Sequence, residues 1–176
     1  MPPTSIYHHP ATASTGTFEL RQMTARDLAG IATHYLNLDQ DARVQRFHTP
    51  VDDTAIMNYV SGLDLQRVTV VGAVDLATNA VIGLSELHPI AEAESAEVAI
   101  SVTLGVRDNL IATQLLHQIL DLAALRGMEK LEFYLHADNT WLPELLTSVG
   151  AVVDTRREHA VLNWREEIPF LACAAA

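Results

Sequence analysis

Apolar and polar residues alternate from Thr17 to Met23, where Phe-Glu-Leu-Arg-Gln-Met predicts a first strand. Thr24 with Asp27 three residues on has the form of a helix capping box with Asp in the Glu position, so a helix is expected to about Asn37. Asp39 is placed to cap a shorter helix through Ala42, Val44 and Phe47. Pro50, Asp52 and Asp53 then close it and open a third helix, from about Thr54 to Ser61. The β-branched run Val68–Val74, the turn Ala77-Thr78-Asn79 and the run Val81–His88 predict a hairpin, followed by a third strand of that group over Ala96–Leu104.

Beyond this point the period lengthens. Ile111, Leu115, Ile119, Leu122 and Ala123 fall at helical spacing within Asn109–Arg126, and Gly127 stands where a helix C-cap belongs. Leu131, Phe133 and Leu135 alternate as a strand, a final helix is expected over about Thr140–Val149 with Gly150 as its stop, and two short strands follow near Val152–Asp154 and Glu158–Trp164. This order predicts an α/β (α+β) domain with one mixed, mostly antiparallel central sheet of six to seven strands and helices on both faces. The pattern divides the chain into a frayed leader, residues 1–16, a domain over 17–165 and a tail, 166–176.

Composition narrows the chemistry. A net charge of -11 with no basic stripe argues against nucleic acid and favours a cationic substrate, although acidic surfaces also serve solubility alone. No run approaches the ~20 consecutive apolar residues of a membrane span, so no membrane partner is expected. Cys173 is the only cysteine, which rules out an intramolecular disulfide or a cysteine zinc cluster and fits a reducing cytoplasm. There is no Gly-x-Ser-x-Gly elbow, no Walker loop and no histidine pair at helical metal spacing.

The element order and the segment from Val102 to Ala112, Val-Thr-Leu-Gly-Val-Arg-Asp-Asn-Leu-Ile-Ala, resemble the GCN5-related N-acetyltransferases. In that family a strand leads into a loop Arg/Gln-x-x-Gly-x-Gly/Ala that opens a long helix. Arg107 and Ala112 fit this form and Leu110 stands where glycine is expected. Asn139, with Gly150 eleven residues on, resembles a second family motif. Leu38–Phe47 resembles the helical region of bacterial protein-lysine acetyltransferase domains, which often read Leu-Ser-x-Glu-Ser-x-x-x-Arg-Phe.

The resemblance implies acetyl-CoA as cosubstrate. The main chain of Val102 and Leu104 would bind the pantetheine arm, and Arg107, Asp108, Asn109, Leu110, Ile111, Ala112 and Thr113 would cradle the diphosphate. Independently of any family, a diphosphate requires converging backbone N–H groups at a helix N-terminus, which this segment can supply. Leu110 brings bulk and Asp108 negative charge to that place. Asn139 either contacts the CoA arm or caps the last helix.

Acetyl transfer to an amine needs a group that removes a proton. Glu97 resembles the acidic residue that protein-lysine acetyltransferases carry on this strand and is the favoured base; its other reading is a solvated charge. Glu86 and His88, two residues apart and on one sheet face, are the reserve candidates. His136 ranks below them. Leu146 stands where many members carry a tyrosine acid. The expected function is acetyl-CoA-dependent N-acetylation of a primary amine, a protein lysine or a small cation, by direct transfer in a ternary complex. The alternative is a degenerate domain that senses acyl-CoA or binds a protein partner. Exposed sheet edges make a homodimer a further expectation.

Overall fold

The computed structural model of the chain describes residues 18–91, 94–103 and 109–163. The leader, the tail, Leu104, Arg107, Asp108 and the Asn109 side chain lie outside the described residues. Strand β1 (Phe18–Gln22) passes through a short 3₁₀ turn (Ala25–Asp27) into α1 (Leu28–Leu36). The expected capping box forms there: Thr24 N donates to Asp27 Oδ2 at 2.8 Å and Arg26 N to Thr24 Oγ1 at 3.4 Å. Helices α2 (Gln40–Phe47) and α3 (Asp53–Ser61) start on Asp39 and Asp52, whose carboxylates accept from Ala42 N at 2.7 Å and Ala55 N at 2.8 Å.

Strands β2 (Thr69–Asp75), β3 (Val81–Pro89) and β4 (Ser95–Val102) form an antiparallel meander. Helix α4 (Asn109–Leu125), strand β5 (Lys130–Tyr134), helix α5 (Trp141–Ser148) and strands β6 (Val152–Asp154) and β7 (His159–Asn163) complete the domain. The last strand begins one residue later than expected, because Thr155–Glu158 is spent on a tight turn with Glu158 at φ 52°. Gly127 and Gly150 end α4 and α5 at φ 72° and 88°, a left-handed conformation that a side chain would oppose.

Among the described residues the sheet has seven strands in the order β1-β2-β3-β4-β5-β7-β6, antiparallel throughout except for β4 against β5. Its two faces carry two cores. Ile31, Tyr35, Ile56, Val60, Val70 and Leu84 pack α1–α3 on one face. On the other, Ile111, Leu115, Ile119, Leu131, Phe133 and Leu146 pack α4 and α5. The mixed sheet with helices on both faces is the expected architecture.

Two hydroxyls break the apolar rule. Thr69 Oγ1 and Ser85 Oγ are buried and find no hydrogen-bond partner among the described residues. Thr69 lies opposite Leu87, and Ser85 opposite Val71. A buried unsatisfied hydroxyl costs about 1–3 kcal/mol, so removing it should not weaken the fold. Thr69→Val is therefore expected to leave the urea-unfolding free energy unchanged or to raise it by about 1 kcal/mol; a clear loss would reveal a partner for the threonine.

Candidate functional site

Strands β4 and β5 pair over only three positions, Ser95↔Lys130, Ala96↔Leu131 and Glu97↔Glu132. Beyond Glu97, β4 continues to Val102 against β3 alone. Ile90 N donates to Ser95 O and Thr103 N to Ile82 O, both across the β3 side. The β3–β4 register runs unbroken from Pro89↔Ala96 to Gly83↔Val102. Main-chain groups alternate sides along a strand, so Ile100 and Val102 turn their N–H and C=O away from β3, into the gap that β5 has left.

The gap opens into a cleft of about 250 Å³. Val98, Ile100 and Val102 line it from the face that packs on α4, and Glu97, Ala99 and Ser101 from the face under α1–α3. Ala112 from α4 and Trp141 and Leu142 from α5 form the apolar far wall, and Gln45, Arg46 and His48 reach in from α2 and its end. An extended polar arm with amide groups fits such a slot: an unpaired strand edge offers donors and acceptors along one side and hydrocarbon along the other.

Of the expected arm-binding residues, Val102 stands on the gap. Asn139 also lines the cleft, where its Oδ1 accepts from Leu142 N at 3.0 Å and its Nδ2 donates to Gln45 Oε1 at 3.3 Å. One end of the amide thus caps α5 and the other faces the cleft. In α4, Ile111 is buried in the core and Ala112 borders the cleft. Leu110 is 40% exposed and is not among the cleft-lining residues, so the leucine at the glycine position does not plug the slot.

The candidate proton acceptors separate sharply. Glu97 sits at the vertex where the strands part, borders the cleft, and makes no salt bridge among the described residues. Its neighbour Glu132 is committed: Lys130 Nζ donates to it at 2.6 Å and His159 Nε2 lies 3.4 Å away, and the lysine hydrogen bond leads in lowering its pKa.

The expectation that Glu86 is a reserve base is corrected. Its side chain is 0% exposed and fully engaged. Arg46 Nη2 donates to its Oε2 at 2.6 Å, His88 Nε2 lies 2.7 Å from the same oxygen, Tyr59 also donates to it, and Tyr35 donates to Oε1. Burial pushes the Glu86 pKa up, but the Arg46 charge and the His88 and Tyr35 contacts outweigh it and hold it at about 2. A carboxylate so stabilised has little proton affinity. Its work is to tie helices α1, α2 and α3 to β3. Arg46 completes the tie by lying 4.8 Å from the Phe47 ring centroid and 5.4 Å from those of Tyr35 and Tyr59. His88 is held by Glu86 and stands opposite Glu97 across the β3–β4 pair. His136, beside Asp138 at 3.6 Å, does not line the cleft.

Two histidines not singled out from the sequence matter here: His48 lines the cleft, and His34 touches the cleft-lining Ser101 from behind. His48 ends α2 in the left-handed conformation, φ 57°, and packs edge-on against Tyr134. Burial lowers its pKa and the Glu97 charge opposes the shift. The lack of a glycine after Phe47, where a helix end usually has one, was the available signal. His34 is buried in α1 beneath β4: Nε2 lies 2.9 Å from Ser101 Oγ, and Nδ1 lies 3.3 Å from both Val81 O and Thr103 Oγ1. Burial, the leading cause, depresses its pKa to about 4, so the ring is neutral.

The mixed sheet is thus split between its two parallel strands, with an apolar slot in the gap and a carboxylate at the vertex. The chain belongs to the GCN5-related N-acetyltransferase family: the Acetyltransferase (GNAT) domain matches residues 17–152. The GNAT domain of S. lividans PAT superposes with TM-score 0.70 at 18% identity, over 84% of this chain and 91% of that one. Ribosomal-protein-alanine N-acetyltransferase from Brucella melitensis gives 0.61 at 19% identity, over 82% and 98%. A phosphinothricin acetyltransferase from Sinorhizobium meliloti, solved in complex with AcCoA, gives 0.62 at 19% identity, over 78% and 76%. No curated protein sequence matches the chain. Among the described residues no cluster of three His, Cys, Asp or Glu could hold a metal ion, and no helix is long and apolar enough to cross a membrane.

The buried groups set a pH dependence. His34 prefers its neutral form when folded, so its contribution is complete above its ordinary pKa of 6.5 and declines as pH falls toward about 4. Glu86 contributes fully above its ordinary 4.5 and loses that contribution as pH falls through about 2. Unfolding free energy in urea should therefore decline from neutral pH to pH 4 ahead of the carboxylate range, and His34→Gln should flatten that first decline. Separately, Arg46→Met leaves Glu86 buried without its cation and should cost about 3–5 kcal/mol in the same measurement at neutral pH.

Proposed function

We propose that this domain transfers the acetyl group of acetyl-CoA directly to a primary amine, with Glu97 as the base. One observation carries the reading: the residue at which β5 leaves β4 is a carboxylate with no salt bridge among the described residues, and the main chain turned toward the gap begins just beyond it. Ile100 and Val102 would bind the pantetheine arm through their N–H and C=O, and Ala112, Trp141 and Leu142 would cover its apolar side. Asn139 would meet the arm through its amide, and the start of α4 would receive the diphosphate at its positive dipole end. A main-chain N–H in the gap, aimed at the thioester oxygen, would stabilise the charge that develops there.

The acceptor enters from the α2 side. Glu97, with His48 and Tyr134 beside it, presents a carboxylate and aromatic faces to an alkylammonium, and the net charge of -11 favours such an acceptor. A protein lysine or a small cationic amine meets these requirements, and a cytoplasmic location suits both. Glu97 takes the proton that makes the nitrogen nucleophilic.

A second reading, acyl-CoA binding without turnover, is favoured by Leu146, which is 0% exposed in the core and offers no acid where many relatives have tyrosine. One experiment addresses both. Titration calorimetry with acetyl-CoA should give micromolar binding, and free-thiol release should accompany incubation with an amine panel. Glu97→Gln should lower kcat by about 10²-fold or more with acetyl-CoA affinity unchanged. Binding without thiol release establishes the second reading; no heat at millimolar acetyl-CoA removes both.

A further inference from the structure

We infer that Ser101 is the group that protonates the leaving thiolate, supplied through His34 from Thr103. The inference rests on the acetyl-transfer reading above. Its geometric basis is a chain of hydrogen-bonding groups: Ser101 Oγ to His34 Nε2 at 2.9 Å, and His34 Nδ1 to Thr103 Oγ1 at 3.3 Å. Ser101 and Thr103 lie two residues apart at one end of β4, and the buried imidazole bridges them. Ser101 is 6% exposed, lines the cleft, and sits between Ile100 and Val102, the two residues whose main chain faces the gap. Thr103 is only partly buried, so it can exchange protons with water.

Two tautomers fit these distances. With hydrogen on Nδ1, His34 donates to the Val81 carbonyl, which can only accept, and Ser101 gives its hydroxyl hydrogen to Nε2. With hydrogen on Nε2, His34 donates to Ser101, Thr103 donates to Nδ1, and the Ser101 hydroxyl hydrogen is free to turn into the cleft. The neutral ring, kept so by burial, can exchange between the two.

The acceptor nitrogen bonds to the acetyl carbon, the C–S bond breaks, and its electron pair goes to sulfur. Sulfur takes the Ser101 hydroxyl proton and Ser101 takes the Nε2 proton. Nδ1 takes the Thr103 proton, and Thr103 is restored by water. The hydroxide so formed neutralises the proton that Glu97 removed from the amine. Leu146 has no proton to give, and the relay supplies it from the opposite wall of the cleft.

The test compares acetyl-CoA with its oxoester analogue, in which oxygen replaces the thioester sulfur. An alkoxide leaves only with a proton, whereas a thiolate leaves tolerably without one. Ser101→Ala should lower kcat about tenfold with acetyl-CoA and about 100-fold or more with the oxoester, with the KM for both unchanged. Ser101→Cys, which retains a proton donor, should hold the oxoester-to-thioester ratio within about threefold of the unaltered protein; it carries the test if the alanine variant fails to fold. Equal losses on the two substrates, or no loss, overturn the relay while leaving acetyl transfer standing. No turnover by the unaltered protein overturns the acetyl-transfer reading, and the relay with it.

Discussion

The structure turns on a strand that keeps its partner for three residues and then loses it. Every main-chain N–H and C=O near an apolar interior must be satisfied, and at Ile100 and Val102 no strand on the gap side does so. The surrounding cleft is apolar on its α5 side, so a string of polar groups facing hydrocarbon is left for water or for an extended ligand of matching periodicity. The same divergence places the Glu97 carboxylate at the vertex, because Glu97↔Glu132 is the last pair before the strands part. The open strand edge and the carboxylate at the vertex are two consequences of one break in pairing.

That break is tolerable only if the rest of the sheet is held. One wall of the cleft is carried by α2, a helix of eight residues with little apolar surface of its own. What fastens it is the Arg46–Glu86 ion pair, inside a cage of Tyr35, Tyr59 and His88 that draws on three helices and β3. A buried ion pair is a weak source of net stability, but it is sensitive to register. If α2 turned by one residue, Arg46 would leave Glu86 uncompensated, and Gln45 and His48 would leave the cleft. The Arg46-Phe47 pair at the end of Leu38–Phe47 thus has a physical reason to be there: the guanidinium bonds the carboxylate while its faces rest on aromatic rings.

Most of the fold was legible in the sequence because its signals are local. Thr24 with Asp27, Asp39 and Asp52 announce helix starts through hydrogen bonds spanning two or three residues, and Gly127 and Gly150 announce stops through backbone sterics. The site was less legible because its chemistry is tertiary. The i, i+2 spacing of Glu86 and His88 correctly puts both on one sheet face, yet it is silent on the helices that cover Glu86. Burial beneath Arg46 and Tyr35 turns an apparent base into a structural anion. Likewise His34 reads as one residue in an apolar helix, and only the sheet brings Ser101 beneath its ring, 67 positions along the chain.

Leu146 shows how the core and the chemistry compete for positions. Helix α5 presents Leu142 and Leu146 to the same cluster as Leu131 and Phe133, and with Leu146 fully buried that face of the cleft is hydrocarbon. A phenol at 146 would have to direct a hydroxyl into the slot across this packing; leucine strengthens the core and gives up the donor. The opposite wall has the complementary character. Ser101, Thr103 and His34 are polar, close-spaced and joined to one another, and the burial of Ser101 and His34 is tolerable because each satisfies the other. The polar side chains of this cleft therefore gather on the β4 face turned toward α1, where Glu97 and Ser101 share a side of one strand, and Trp141 and Leu142 of α5 supply apolar lining.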